Sequence, residues 1–334
     1  MALATTDRPL HEVHDVALLD LDGVVYVGPD AVPHAREALQ AASEAGMGIA
    51  YLTNNASRRP GDVARHLRDL GMPVVGTEAV VTSAQAVARL IVDDVGAGSE
   101  VLVAGGDGLR HCLEEVGLVP VSRLGDDVRA VVQGFSPDLT WADLAEASYA
   151  VHADVPWYAS NTDLTFPSAR GTAPGNGSMV QAVANATGRR PRVAGKPERA
   201  LFDETLARLR PSAPVMVGDR IDTDIDGAAT AGIASLAVLT GVSSLRTIAG
   251  VTGSSRPTYV APDLRGLLMD HPPVELRPDR ARCGGVEVRH LDGALHPDGA
   301  GEPLHVVRAA IDLAWQIVDD GGAVPDVDDV LAVP

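Results

Sequence analysis

The order of elements in this chain predicts an α/β fold: a doubly wound parallel sheet, interrupted by a large inserted α/β layer and followed by a short α/β extension. Three observations carry that reading. Short apolar runs end abruptly at polar groups; helical stretches closed by glycine separate them; and the alternation restarts in a middle segment before the first pattern resumes.

Val16 to Leu19 is an apolar run entering Asp20, too short for a helix, and reads as a buried strand. Pro33 opens a helical stretch that Gly46 closes, following the proline-first, glycine-last asymmetry of helices. Ile49 to Leu52 is a second strand, ending at Thr53-Asn54-Asn55; a helix from Gly61 to Leu70 stops at Gly71, and a third follows Ser83. From Gln85 to Asn185 the alternation repeats, with strands at Val101–Ala104, Ala130–Gln133 and Trp157–Ala159 and helices at Asp107–Val116 and Trp141–Val151. The first sheet is expected to resume near residue 186, where Val215, Met216 and Val217 run into Gly218-Asp219 and Ser235 to Leu239 forms a further strand. Beyond Pro272-Pro273 and Pro278 the pattern supports one strand, Val286–Arg289, and one helix, Pro303–Val318. The expected layout is a Rossmann-like core at 1–84 and 186–272, an inserted α/β layer at 85–185, and an extension at 273–334.

Composition narrows the class. A chain of 334 residues with 46% hydrophobic and only 3% aromatic residues builds its core from Ala, Val and Leu. No apolar run approaches the ~18 residues of a membrane span, and the first residues are polar, so a cytoplasmic protein is expected. Cys112 and Cys283 are too few for a zinc cluster or a disulfide framework and read as ordinary thiols. The net charge of −18 argues against nucleic-acid or anionic-membrane partners. An anionic substrate would have to be met by local donors or a metal.

Two acidic groups follow buried strands. Asp20 and Asp22, in Asp20-Leu21-Asp22-Gly23, are spaced so that strand alternation turns both carboxylates the same way. Asp-Gly is also ordinary turn chemistry, but the carboxyl end of a parallel strand is where α/β folds bind ligands. The second group is Gly218-Asp219-Arg220-Ile221-Asp222-Thr223-Asp224. Its tail imitates a calcium loop and fails at the twelfth position, Ile233, where a bidentate Glu is needed. Pooling Asp219 and Asp224 with Asp20 as hard oxygen ligands suits Mg²⁺ better. Like charges about 4 Å apart repel by roughly 4 kcal/mol at an effective dielectric near 20, so a phosphate would approach only with cationic help. Lys196 is the one lysine of the chain, every other cationic side chain except histidine being arginine, and a compact ammonium is not replaced by a planar fork. Thr53, Asn54 and Asn55 offer a hydroxyl, amides and turn N–H groups to an anion; Thr53 and Asn54 read equally as helix caps.

Together, Asp20-Leu21-Asp22-Gly23-Val24-Val25-Tyr26, Thr53-Asn54-Asn55, Gly195-Lys196-Pro197 and Gly218-Asp219-Arg220-Ile221-Asp222-Thr223-Asp224 resemble, in order, the four motifs of haloacid dehalogenase superfamily phosphatases. The Thr-Asn-Asn form, Tyr26 and Pro174-Gly175-Asn176-Gly177-Ser178 are similar to the NagD and para-nitrophenylphosphatase-like branch, over residues 14 to 268. The resemblance implies Asp20 as nucleophile, Asp22 as general acid and base, and Lys196 as the cation facing both nucleophile and phosphate. It implies Mg²⁺ on Asp20, the backbone carbonyl of Asp22, Asp219 and, directly or through water, Asp224. Gly23, Thr53, Asn54, Asn55 and Lys196 would hold the phosphoryl group, the insert would be a cap, and Asn161 in Asn161-Thr162-Asp163 would face the substrate.

The activity so implied is hydrolysis of a small phosphorylated metabolite, first glycerol 3-phosphate and then 2-phosphoglycolate, by a protein that resembles dimer-forming members of its branch. A nucleotide phosphatase of the same branch is the nearest rival. A phosphomutase lacks a visible device for excluding water, and a silent sensor on the same fold would be expected to have lost the nucleophile, acid or lysine. The extension, about 60 residues long, is marginal alone and is expected to pack on the core. Val306, Val307, Ala310, Ile311, Leu313, Ala314 and Ile317 would supply one buried helix face.

Overall fold

A computed structural model describes residues 2–73, 76–168, 170–299 and 301–331. Residues 1, 74 and 75 of the expected core, residue 169 of the expected insert, and residues 300 and 332–334 of the expected extension lie outside them. Packing divides the chain into two units, one of residues 1–50, 70–73 and 211–334, the other of residues 51–69 and 74–210.

The first unit is built on parallel strands. Val16–Leu19 pairs with Pro214–Gly218, which pairs with Ala234–Val238, which pairs with Tyr259–Ala261. Within the second unit Tyr51–Thr53 pairs with Val80–Thr82. The strand Gly48–Thr53 crosses from the first unit into the second between Ala50 and Tyr51. The apolar runs became strands because both faces are covered: Ala17, Leu18, Leu19, Val215, Met216 and Val217 are all buried. The helix expected after Pro33 runs Ala35–Glu44, and Gly46 turns the chain at φ 101°.

The second unit carries a five-stranded parallel sheet in the order Arg192–Val193, Trp157–Ala159, Val128–Gln133, Glu100–Ala104, Val119–Val121. Its helices begin as their sequences dictate. Thr82 and Gln85 form a reciprocal capping box opening Ser83–Val95, and Thr140 and Asp143 do the same for Trp141–His152. One expectation is corrected here: the first unit's sheet resumes at Pro214, not near residue 186, because Arg192–Val193 adds to the edge of the five-stranded sheet.

The extension also departs from expectation. Instead of one strand it forms four antiparallel ones, Glu275–Arg277, Arg280–Cys283, Val286–Leu291 and Ala294–Asp298, before the helix Pro303–Asp319. Two-residue turns join them; Gly284-Gly285 and Asp292-Gly293 have positive φ at both positions, which matches the twist of a hairpin. Ala281, Cys283, Val286, Val288 and Leu295 share a core with Ile225, Ala237, Ile248 and Val260 of the sheet and its helices, so the extension packs on the core as expected. The helix is buried around most of its circumference rather than on one face, because Arg308 and Asp312 are buried as well. Arg308 donates to the carbonyls of Pro272 and Ala4 and contacts His271 Nδ1 at 3.2 Å. Asp312 accepts the backbone N–H of Leu3 at 2.8 Å. These bonds satisfy charges that would otherwise be costly inside. Both cysteines are buried thiols, and burial pushes Cys112 up to about 12.

Candidate active site

In the first unit, Asp20 and Asp219 follow the ends of two strands that pair directly, with Leu19 opposite Val217. The strand stops at Leu19; Asp22 bridges to Tyr26 across a turn at 23–25 and is exposed rather than aligned by strand alternation. The N–H of Asp20 still donates to Val217 O of the sheet, at 2.9 Å. Gly23 turns the chain at φ 87°, and a Cβ there would stand 2.6 Å from Asp219 Oδ2. Glycine is needed for both reasons.

Asp219 and Asp224 are buried, at 1% and 0% exposure. Asp219 Oδ2 accepts the N–H of Val242 at 2.6 Å, and Asp224 Oδ2 accepts the N–H of Arg220 at 3.1 Å. A π-helical turn, Ile221–Ile225, folds Asp224 back on the strand end, where a Cβ on Gly218 would lie 2.2 Å from its own Cβ. Carboxylate oxygens of Asp20, Asp219 and Asp224 all fall within 4.8 Å of one another. The Asp22 carboxylate is outside this group, which leaves its backbone carbonyl as the part of it implied for a metal. Asp222 belongs elsewhere: it accepts from Arg220 at 2.7 Å, and that hydrogen bond holds its carboxyl below the usual range. The calcium-loop imitation is thereby broken at its first ligand.

The second unit gathers the remaining candidates. Thr53 ends its strand buried, and its Oγ1 accepts the N–H of Asn55 at 3.1 Å. Asn55 Oδ1 accepts from Ser57 N and Oγ, both at 2.8 Å, in a local turn. Neither Thr53 nor Asn54 caps a helix, since the next one begins at Pro60. Asn54 instead spends its amide on the backbone of Lys196 and on Asp163. Lys196 is 2% exposed, with Nζ 3.5 Å from Leu52 O. Asn161, expected to face substrate, is 4% exposed with its amide turned inward, donating to Asn54 O at 2.7 Å and accepting from Asp163 N at 3.1 Å. The segment after Thr53 is also held from the insert: a Cβ on Gly108 would lie 2.7 Å from Arg58 backbone, and Arg59 donates to Asp107 at 2.8 Å. Sequence reasoning missed three supports whose partners are remote in sequence: Ser83, whose Oγ donates to Asn54 O at 2.6 Å, Gly241, where a Cβ would crowd Asp219, and Asp163 as the partner of Asn54.

A parallel α/β sheet that gathers three carboxylates just past the ends of two paired strands offers oxygen ligands to a hard cation, at the edge where such folds bind ligands. Two family models match, the haloacid dehalogenase-like hydrolases over residues 17–119 and the HAD-hydrolase-like family over residues 193–267. The chain is 45% identical over 320 residues to D-glycerol 3-phosphate phosphatase of Mycobacterium tuberculosis, covering 92% of this chain and 88% of that one. It is 35% identical over 249 residues to acid sugar phosphatase of Staphylococcus aureus, 74% of this chain and 94% of that one. Among solved structures, the M. tuberculosis glycerol phosphate phosphatase in complex with magnesium superposes with a TM-score of 0.83 at 39% identity, covering 96% and 95% of the two chains. The p-nitrophenyl phosphatase of Archaeoglobus fulgidus gives 0.70 at 28% identity, covering 76% and 98%.

The chain therefore belongs to the haloacid dehalogenase-like hydrolases. Within them it is a phosphatase of the NagD and para-nitrophenylphosphatase-like branch. Among the described residues no helix is long and apolar enough to cross a membrane.

Proposed function

We propose that this phosphatase is a Mg²⁺-dependent phosphomonoesterase whose substrate is glycerol 3-phosphate. The observation that carries the substrate is the 45% identity to a D-glycerol 3-phosphate phosphatase over a length that reaches beyond the family models into the extension. The carboxylates of Asp20, Asp219 and Asp224 fit a hard divalent cation, because three such groups within 4.8 Å, two of them buried, need a compensating charge. Asp20, Asp219, the backbone carbonyl of Asp22 and, directly or through water, Asp224 would hold Mg²⁺. When bound, it would neutralise this acidic group and polarise the phosphoryl oxygens.

In the proposed reaction a carboxylate oxygen of Asp20 attacks phosphorus and the bond to the alcohol oxygen breaks, leaving an aspartyl phosphate. Asp22, exposed at the turn, donates its proton to the departing alkoxide. It then takes a proton from the water that attacks the acyl phosphate, which releases inorganic phosphate and restores Asp20. Thr53, the N–H groups of the Asn54-Asn55 turn, Gly23 and Lys196 supply donors and charge to the transferred group. In this reading residues 85–185 belong to the cap that selects small esters, and the sheet that carries Asp20 and Asp219 is the core.

Phosphate release from glycerol 3-phosphate, 2-phosphoglycolate, sugar phosphates, nucleotides and pyridoxal phosphate tests the substrate. The highest kcat/KM is expected with glycerol 3-phosphate; a nucleotide or phosphoglycolate turned over at least tenfold more efficiently overturns that choice.

A further inference from the structure

The hydrogen bonds around Asn54 form a closed ring that ends on the backbone of Lys196. Asn54 Oδ1 accepts the N–H of Lys196 at 2.8 Å, and Asn54 Nδ2 donates to the carbonyl of Lys196 at 3.0 Å. The same Nδ2 donates to the Asp163 carboxylate at 3.1 and 3.3 Å. Asp163 is itself fixed, its N–H bound to Asn161 Oδ1 at 3.1 Å, while Asn161 Nδ2 returns to Asn54 O at 2.7 Å.

An amide has one acceptor and one donor end, so these partners leave Asn54 a single orientation. The bond to a carboxylate is the charge-assisted member of the set. Close packing locks the loop that carries it: a Cβ on Gly177 would meet Thr162 O at 2.1 Å, and one on Gly175 would meet Asp163 O at 2.2 Å. On the other side a Cβ on Gly195 would meet Asn54 Oδ1 at 2.6 Å. No side chain larger than glycine fits where the lysine's segment meets the amide.

We infer that Asp163 is a positioning residue: acting through Asn54, it fixes the backbone of Lys196 and so the point from which the ammonium acts. The inference rests on the reading of Lys196 as the cation of a phosphatase. It assigns the Asn161–Asp163 loop to placing the lysine, in place of contact with the substrate's alcohol portion.

A double-mutant cycle on the full chain with Mg²⁺ tests it, with glycerol 3-phosphate and para-nitrophenyl phosphate as substrates. Asp163→Ala is expected to lower kcat about 10- to 100-fold, by the same factor on both substrates and with KM changed less than about twofold. Asp163→Asn, whose side-chain oxygen still accepts from Asn54, restores most of that loss. In a Lys196→Ala background the further change to Asp163→Ala alters residual turnover by less than about twofold. Where turnover falls below detection, the affinity for inorganic phosphate follows the same cycle. A raised KM at unchanged kcat, a loss that differs between the two substrates, or an equal loss with and without the lysine overturns the inference. Full turnover by Lys196→Ala sinks the reading of the lysine itself, whereas an inactive Lys196→Ala with an additive Asp163 effect sinks only the coupling. If Asp163→Ala does not melt cooperatively, Asp163→Ser, whose shorter neutral side chain withdraws the carboxylate from Asn54 but stays polar, carries the same cycle.

Discussion

Gly241 stands so close to Asp219 that a Cβ on it would lie 1.9 Å from the Oδ2 oxygen of that carboxylate. Gly241→Ala is therefore expected to push Asp219 out of the acidic group. Overpacking of this kind costs about 1–3 kcal/mol of stability, and displacement of a reacting constellation by about 1 Å costs about 100-fold in rate. Steady-state kinetics with a parallel urea titration separates the two effects; wild-type kcat in the variant would show that Asp219 need not occupy its observed place.

Asp20→Asn removes the proposed nucleophile while keeping its shape. Turnover of para-nitrophenyl phosphate should fall below detection with the melting temperature within a few degrees of wild type. Normal turnover by the folded variant would eliminate Asp20 from the chemistry.

Lys196→Arg conserves charge but not geometry. The site is 2% exposed and the backbone is gripped by Asn54, so a wider planar group cannot occupy the point the ammonium holds. A folded protein with kcat lowered about 100-fold or more is expected. A variant within about threefold of wild type would make the lone lysine a compositional accident.

Mg²⁺ should act on stability as well as rate. Chelator is expected to abolish turnover and lower the melting temperature, and added Mg²⁺ to restore both. Binding at 100 times Kd contributes about 2.7 kcal/mol, and gathering three carboxylates makes the apo protein the weaker state. In Asp219→Asn the melting shift should shrink. Indifference of both rate and melting to chelator would remove the metal from the reading.

Burial, and after it the Arg308 guanidinium, hold His271 down to about 4 from an ordinary 6.5, while its bond to Gly266 O works in the opposite direction. The unfolded chain therefore takes up this proton first as pH falls. The contribution is whole above about pH 6.5 and is lost progressively toward pH 4, to a limit of about 3 kcal/mol. Urea midpoints across that window should fall for wild type and fall less steeply for His271→Gln. Parallel profiles for the two proteins would show that His271 is not the group responsible.

Much of the sheet was legible because its strands are short, apolar on both faces and stopped by acids or glycine. Val16–Leu19 and Trp157–Ala159 fall where the sequence places them. Of the extension's strands the one at Val286 was expected, whereas Arg280-Ala281-Arg282-Cys283 escaped notice because it alternates with arginine and buries only every second residue. The Gly284-Gly285 and Asp292-Gly293 turns were the available signal. The acidic group was legible in the two aspartate-rich motifs, whereas the supports of Lys196 were not. Asn54 and Lys196 are 142 residues apart, and nothing local marks Asn161 as a residue whose amide points inward.

The ties from Arg308 to Ala4 and from Asp312 to Leu3 also set an order of events during synthesis. Residues 51–69 and 74–210 have all left the ribosome before the helix Pro303–Asp319 is made, so the inserted sheet can close while its partner unit still lacks a wall. The strand that leads into Asp20 is made well before that helix. Yet the unit around it gains its final packing only when a helix some three hundred residues later arrives to hold the amino-terminal segment. A nascent chain stalled before residue 303 would expose the apolar faces of Ile248 and Val260 that this helix covers.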